Sequence, residues 1–179
     1  MAEVQQQDGQ TVALRYEPTV ADMAGALNAR MRATPSGRRT RRLLLFTGVM
    51  GIGVVALQTV VGDGDLTVLV AGVALTVLAF GSLYLLPSLQ ARQLHPLAAR
   101  QGEFGATVDD TGIRLTTRDS TSTTNWEMYP RYAETDELFV LFTADKHSVG
   151  VMVLPKRGVS APDDVDRLRA LLDEHVRRV

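Results

Sequence analysis

The chain contains no cysteine. That absence removes disulfides, thiolate metal sites and cysteine nucleophiles together, and it fits soluble segments kept in a reducing compartment. Of the 19 basic residues only Lys146 and Lys156 are lysine, a bias ascribed to base composition with no functional reading. Histidine is limited to His95, His147 and His175, which fall in a prolyl connector, a turn and a final helix with no metal-ligand spacing. The most consequential absence is local. Two runs, residues 43–62 and 66–86, hold no Asp, Glu, Lys, Arg or His. With Gln58 the most polar group inside them, proton relays, ion pathways and intramembrane hydrolysis are disfavoured, because those functions need ionisable or metal-binding groups at depth.

Each run approaches the ~20 residues that cross a bilayer core as helix, so the two read as transmembrane spans. Asp63, Gly64 and Asp65 alone separate them, which makes the pair a hairpin with an acidic tip. A signal peptide would start near residue 1 and end at a small-residue cleavage site, and the first run does neither. The segment from Thr40 to Leu45 loosely resembles a twin-arginine export signal, but its depth in the chain favours a plain anchor. Arg38, Arg39, Arg41 and Arg42 abut the first span, and Arg92 and Arg100 follow the second. By the positive-inside rule both termini face the cytoplasm and the tip faces out, so the expected location is the plasma (inner) membrane. The net charge of -1 conceals a division: residues 1–42 carry +3 and residues 103–179 carry -4. Positive charge beside the membrane can also touch anionic headgroups, while the acidic soluble part argues against nucleic acid.

Residues 1–10 are polar and glutamine-rich and are expected to be a disordered tail. Residues 11–37 form an N-terminal unit. Val12, Leu14 and Tyr16 alternate as in a half-buried strand, which must pair elsewhere in the chain. Thr19 with Asp22 forms a helix-starting capping box, and Val20, Met23, Ala24, Leu27 and Met31 recur at helical spacing until Pro35, Ser36 and Gly37. That helix is expected to pack on the soluble domain. Residues 38–102 hold the hairpin and a short helical connector broken by proline at Pro87 and Pro96. In the spans, Thr47 and Gly51, and Gly72 and Thr76, are small residues four apart that permit close helix contact. Residues 103–179 change to period two. Strands are expected around Phe104–Val108, Ile113–Thr117, Thr124–Trp126, Tyr129–Glu134, a continuously apolar central strand at Leu138–Phe142, and Val149–Leu154. Ser160 with Asp163 then caps a helix whose stripe is Val165, Leu168, Leu171, Leu172, His175 and Val176. The fold class is α+β: a two-helix hairpin plus a small, mostly antiparallel sheet closed by a C-terminal helix, with the N-terminal strand joining the sheet.

Strand, helix, two-span hairpin, then a short-stranded sheet with Asp110-Thr111-Gly112-Ile113, Trp126, the apolar strand Phe139-Val140-Leu141-Phe142, and Leu154-Pro155-Lys156-Arg157 before the helix that follows Pro162 together resemble the YcxB-like family of small bacterial membrane proteins. The resemblance implies a cytosolic domain similar to a pleckstrin-homology (PH) fold, of uncharacterised biochemical role. It names an architecture, and fold does not settle function.

No catalytic constellation is visible. The Ser and Thr residues between Thr116 and Thr124 suit turns better than a nucleophile without a base, and no cofactor motif is present. Lys156 and Arg157, joined by Arg131, are the candidate contacts for an anion or an acidic partner, because paired cations suit phosphate or carboxylate; strand-end solvation is the duller account. Trp126 reads as core. The expected function is a non-catalytic, membrane-anchored PH-like interaction or adaptor module that meets a protein partner or a second copy of the chain along an open sheet edge. A sensor of anionic lipid headgroups and an accessory subunit of a membrane complex are the alternatives. Against the lipid sensor stand the acidic turn at Asp109-Asp110 and the hairpin that interrupts the first turn of the sheet.

Overall fold

The computed structural model describes residues 11–61, 65–99, 102–144 and 150–179. The expected tail at 1–10, Asp63 and Gly64 of the tip, Arg100, and the start of the penultimate strand at Val149 lie outside them.

Strand β1 (Val12–Tyr16) buries Val12 and Leu14 and exposes Ala13 and Arg15, as its alternation dictates. Thr19 caps α1 (Val20–Ala33): its hydroxyl accepts from the Asp22 N–H at 3.1 Å, and Asp22 accepts the Thr19 N–H at 2.8 Å. These bonds satisfy two of the donors that a helix start leaves unpaired. Thr34 then serves two helices. Its N–H closes α1 on the Arg30 carbonyl, and its hydroxyl accepts the Gly37 N–H, capping α2 (Pro35–Val61) with Pro35 at the first helical position. The helix therefore begins eight residues before the uncharged run, and Arg38, Arg39, Arg41 and Arg42 sit on its opening turns. The corner is tight: a Cβ on Gly37 would lie 2.4 Å from the Met31 carbonyl oxygen.

Asp65 caps α3 (Leu66–Ala99) by accepting the Thr67 N–H at 2.8 Å. The proline-broken connector is corrected here, for α3 continues through Pro87 and Pro96 to Ala99. Its extension is held by packing, since Leu83, Pro87 and Ala91 are buried and α1 lies along α3; neighbouring helices and local adjustment make an internal proline tolerable. Both α2 and α3 are long and apolar enough to cross a membrane, and most of their apolar side chains are unburied, unlike those of a soluble core helix. They pack tightly at Gly51 and Gly72, where a Cβ on Gly51 would lie 2.7 Å from the Gly72 carbonyl oxygen and 2.5 Å from Thr76 Oγ1.

The remainder forms two four-stranded sheets in place of the one expected from the pattern. Sheet A is β1, β2 (Phe104–Asp109), β3 (Gly112–Thr116) and β4 (Thr121–Asn125) in that order; sheet B runs β7 (Val151–Pro155), β6 (Leu138–Phe142), β5 (Arg131–Glu134) and β8 (Arg177–Arg178). Among the described strands only the β5–β8 pair is parallel. The N-terminal strand does join the sheet: Val12 faces Val108 and Leu14 faces Ala106 across the β1–β2 ladder. Trp126 is not in β4 as expected but opens a 3-10 turn (Trp126–Met128) that carries the chain from sheet A to sheet B.

Period two in β6 explains the layering. Phe139 and Leu141 face a core that sheet A and α4 (Pro162–His175) share, with Val12, Leu14, Ile113, Leu168, Leu171 and Leu172. Leu138, Val140 and Phe142 face the other way, onto Ala26, Ala29 and Ala33 of α1. The central strand is thus covered on both faces, and each fully buried large apolar side chain contributes about 2 kcal/mol. Alanine on the buried face of α1 lets that helix lie close to sheet B. The cap of α4 is shifted by one from Ser160 and Asp163, because it is Ala161 whose N–H donates to Asp164, at 3.3 Å.

Candidate functional site

The three cations singled out in the sequence do not converge. Lys156 and Arg157 open a second 3-10 turn (Lys156–Gly158) after β7 and point to different carboxylates, while Arg131 lies at the other end of sheet B, paired across the ladder with Phe142.

Lys156 belongs to a hub around Glu134. That carboxylate, 7% exposed, receives Lys156 Nζ at 2.7 Å, Arg169 Nη2 at 2.8 Å and Arg178 Nη2 at 2.8 Å. Arg169 Nε adds bonds of 3.1 Å to both oxygens, and Asp166 pairs with the same guanidinium. Arg169 above all, then Lys156, overcomes partial desolvation and holds the Glu134 carboxyl down at about 2. The Phe139 ring underlies the hub, 5.0 Å from Lys156 Nζ. Next to it the Tyr132 hydroxyl donates to Asp173. Strands β5 and β8, the turn after β7 and helix α4 are tied by this one carboxylate.

Arg157 reaches back to α1. Its Nη1 meets Asp22 Oδ1 at 2.5 Å, its Nη2 meets Oδ2 at 2.6 Å, and Nη2 also donates to the Glu17 carbonyl at 3.0 Å. Asp22 is the charged residue buried deepest among those described. Burial pushes its carboxyl up, but Arg157 and the Thr19 hydrogen bonds outweigh burial and leave it below the usual carboxylate range. Tyr16 completes the joint by donating to the Val153 carbonyl at 2.7 Å, and burial drives its hydroxyl well above the ordinary phenol range. Both partnered cations are thus already neutralised within the fold.

Of the remaining candidates, Trp126 packs against the shared core, donates from Nε1 to the Asp110 carbonyl at 3.1 Å and stacks on His175 at 5.0 Å. His147 lies outside the described residues, and nothing is described of the His95 side chain. Among the described residues no three His, Asp or Glu side chains converge as a metal ion would require.

The sequence pattern suggests an open sheet edge but does not say which strand forms it; the free edge of sheet A is β4. The Thr117 N–H bonds the Ser120 carbonyl at 2.8 Å across the β3–β4 turn. Antiparallel pairs alternate, so with Leu115 opposite Ser122 and Ile113 opposite Thr124 as the hydrogen-bonded pairs, Thr121 and Thr123 turn their N–H and C=O away from β3. No described strand lies beyond β4. Thr121, Ser122, Thr123 and Asn125 are exposed, and the strand has neither a charged residue nor a proline to guard it. At the opposite edge, Leu14 of β1 bridges to Val159. The signal available in sequence was the run Thr121-Ser122-Thr123-Thr124-Asn125 itself, which is β-prone on one count and polar enough to pass for a loop.

Comparison with known proteins finds that residues 108–172 match the family model described as YcxB-like protein. That stretch begins within β2 and ends within α4, so it covers most of both sheets and leaves out β1, α1 and the α2–α3 hairpin. No curated protein and no solved structure matches the chain.

Proposed function

We propose that this protein, on its YcxB-like scaffold, is a membrane-tethered interaction module without catalytic activity. In this reading α2 and α3 span the inner membrane with both termini cytoplasmic, and a PH-like two-sheet domain is held at the membrane surface to receive an extended segment of a partner protein. The outward-facing main chain of Thr121 and Thr123 on β4 carries the proposal, because an unguarded strand edge is a ready template for one more strand, with main-chain hydrogen bonds for affinity and alternate side chains for specificity. The hydrophobic cores need no such addition, since β4 already sits on its side of sheet A. Internal pairing of Lys156 and Arg157 removes them as free charges for a headgroup, and the acidic balance of residues 103–179 speaks against nucleic acid.

A photo-crosslinking residue placed at Ser122 in the full-length protein in its membrane tests this. The expected result is a discrete adduct that disappears when Thr123→Pro removes an outward N–H, with thermal stability unchanged because the β3–β4 ladder does not use that group. Absence of an adduct, or an adduct indifferent to Thr123→Pro, overturns the reading. An adduct of two copies identifies the added strand as the chain's own.

A further inference from the structure

The corner between α1 and α2 closes a cavity of about 450 Å³ against the Arg131 end of sheet B. Arg30 and Arg131 both line it, along with Thr34 and Ser36, and no carboxylate is among the described residues that line it. The ion pairs of the described residues leave both arginines out. Two arginines from separate elements line one space, neither ion-paired among the described residues, and a phosphate that accepts from both supplies the counter-charge. Another cavity, about 600 Å³ on the outer face of sheet A, also holds two arginines, Arg15 and Arg118, but there Glu103 lines the same space.

A second cavity of about 330 Å³ adjoins the first and shares Arg30, Thr34 and Ser36 with it. It lies among α1, α2 and α3 and is lined by Leu27, Met31, Leu44, Leu86 and Pro87. Arg38, Arg39, Arg41 and Arg42 fall between Ser36 and Leu44 on α2. With the hairpin spanning a bilayer, that basic segment marks headgroup depth. A cationic space at headgroup depth, with an apolar space beside it among α1, α2 and α3, has the polarity of one phospholipid.

The geometry points to a binding site for an anionic phospholipid, with its phosphodiester between Arg30 and Arg131 and an acyl chain along Leu44 and Leu86. The site is distinct from the β4 edge and rests only on α2 and α3 being membrane spans. It places a lipid against α1, the helix wedged between the hairpin and sheet B, so an occupied site braces the soluble domain on its anchor.

The test uses the full-length protein in non-ionic detergent, with phosphatidylglycerol, phosphatidylcholine or glycerol 3-phosphate added, read by thermal midpoint and by lipid retained in native mass spectrometry. Phosphatidylglycerol is expected to raise the midpoint and stay bound, while the other two do not. Replacing Arg30→Gln and Arg131→Gln together is expected to weaken its binding roughly tenfold or more, with Arg15→Gln and Arg118→Gln leaving binding unchanged. Equal retention of phosphatidylcholine overturns the inference, as does undiminished binding by the Arg30/Arg131 double variant. Glycerol 3-phosphate acting as strongly as phosphatidylglycerol also overturns it, assigning the cavity to a free phosphate. Should the Gln pair fail to fold, Arg30→Lys with Arg131→Lys keeps the charge, and the wild-type comparison of the two lipids decides without any variant.

Discussion

Asp22 and Arg157 stand 135 positions apart and form a two-pronged ion pair, with Nη1–Oδ1 at 2.5 Å and Nη2–Oδ2 at 2.6 Å. The same carboxylate caps α1 through Thr19, so one buried side chain both starts the helix and fastens it to the turn after β7. Because α1 also lies along α3, this pair helps fix the angle between the sheets and the hairpin.

Removing Arg157 leaves Asp22 buried without its partner. Arg157 is 46% exposed on its side chain, which screens the pair, so the expected loss for Arg157→Ala is about 2 kcal/mol, less than for a fully buried pair. Asp22→Ala additionally loses the cap, worth about 1 kcal/mol. A double-mutant cycle on thermal unfolding should show clear coupling between the two. Additive effects would mean that the ion pair contributes nothing beyond its two separate ends.

The Glu134 hub implies acid sensitivity with a definite sign. Its carboxyl is held down from an ordinary 4.5 to about 2, so the stability it contributes is fully present above 4.5 and is lost as pH falls through the folded value. The full loss is on the order of 3 kcal/mol. Asp22 shifts in the same direction, so Glu134→Gln should flatten the acid limb of the stability curve without abolishing it. An acid limb of unchanged slope in Glu134→Gln would assign the sensitivity to other carboxylates.

The tight contact of α2 and α3 at Gly51 gives an internally controlled comparison. A side chain at Gly51 meets Gly72 and Thr76, whereas a Cβ at Gly53 meets nothing within 4 Å. Gly51→Leu should therefore destabilise the protein by about 2–3 kcal/mol through overpacking, and Gly53→Leu should change it little. Equal effects, measured by unfolding in the same detergent, would show that the helices part easily at this point.

Orientation is tested at the ends. A reporter fused after Val179 should behave as cytoplasmic, and replacing Arg38, Arg39, Arg41 and Arg42 together with glutamine should produce a mixed or inverted population. A reporter that reads as external in the unaltered protein would reverse the assignment.

Local features of this fold were legible and remote ones were not. The apolar runs, the Thr19–Asp22 box, the alternation in β1 and the unbroken apolarity of β6 each announce themselves within a few residues, since helix and strand periods act over that range. The extension of α3 past Pro87 was not legible, because it depends on α1 packing alongside. Period two in residues 103–142 signalled strands but not the break into two sheets, which hinges on the turn at Trp126. Lys156 and Arg157 looked like a pair from their adjacency, yet their partners lie 22 and 135 positions away, and no local spacing encodes that choice. The cavity beside Arg30 and Arg131 needs the α1–α2 corner to exist at all.

The last prediction concerns how the soluble domain is assembled. Strand β1 and the rest of sheet A are separated in sequence by α1 and the whole hairpin, yet Leu14 is 1% exposed in the core that also holds Leu168, Leu171 and Leu172. If that core is one cooperative unit, Leu14→Ala leaves a cavity between the two sheets and should cost about 3 kcal/mol, as much as a comparable truncation at Leu171. Trp126 is the only tryptophan and packs on the same core, so its fluorescence reports unfolding of the domain from a point far along the chain from the mutation. Leu14→Ala and Leu171→Ala should lower the Trp126 midpoint together. If Leu171→Ala lowers it and Leu14→Ala leaves it in place, residues 103–179 hold together without β1, and the strand is an attachment to the sheet instead of part of its core.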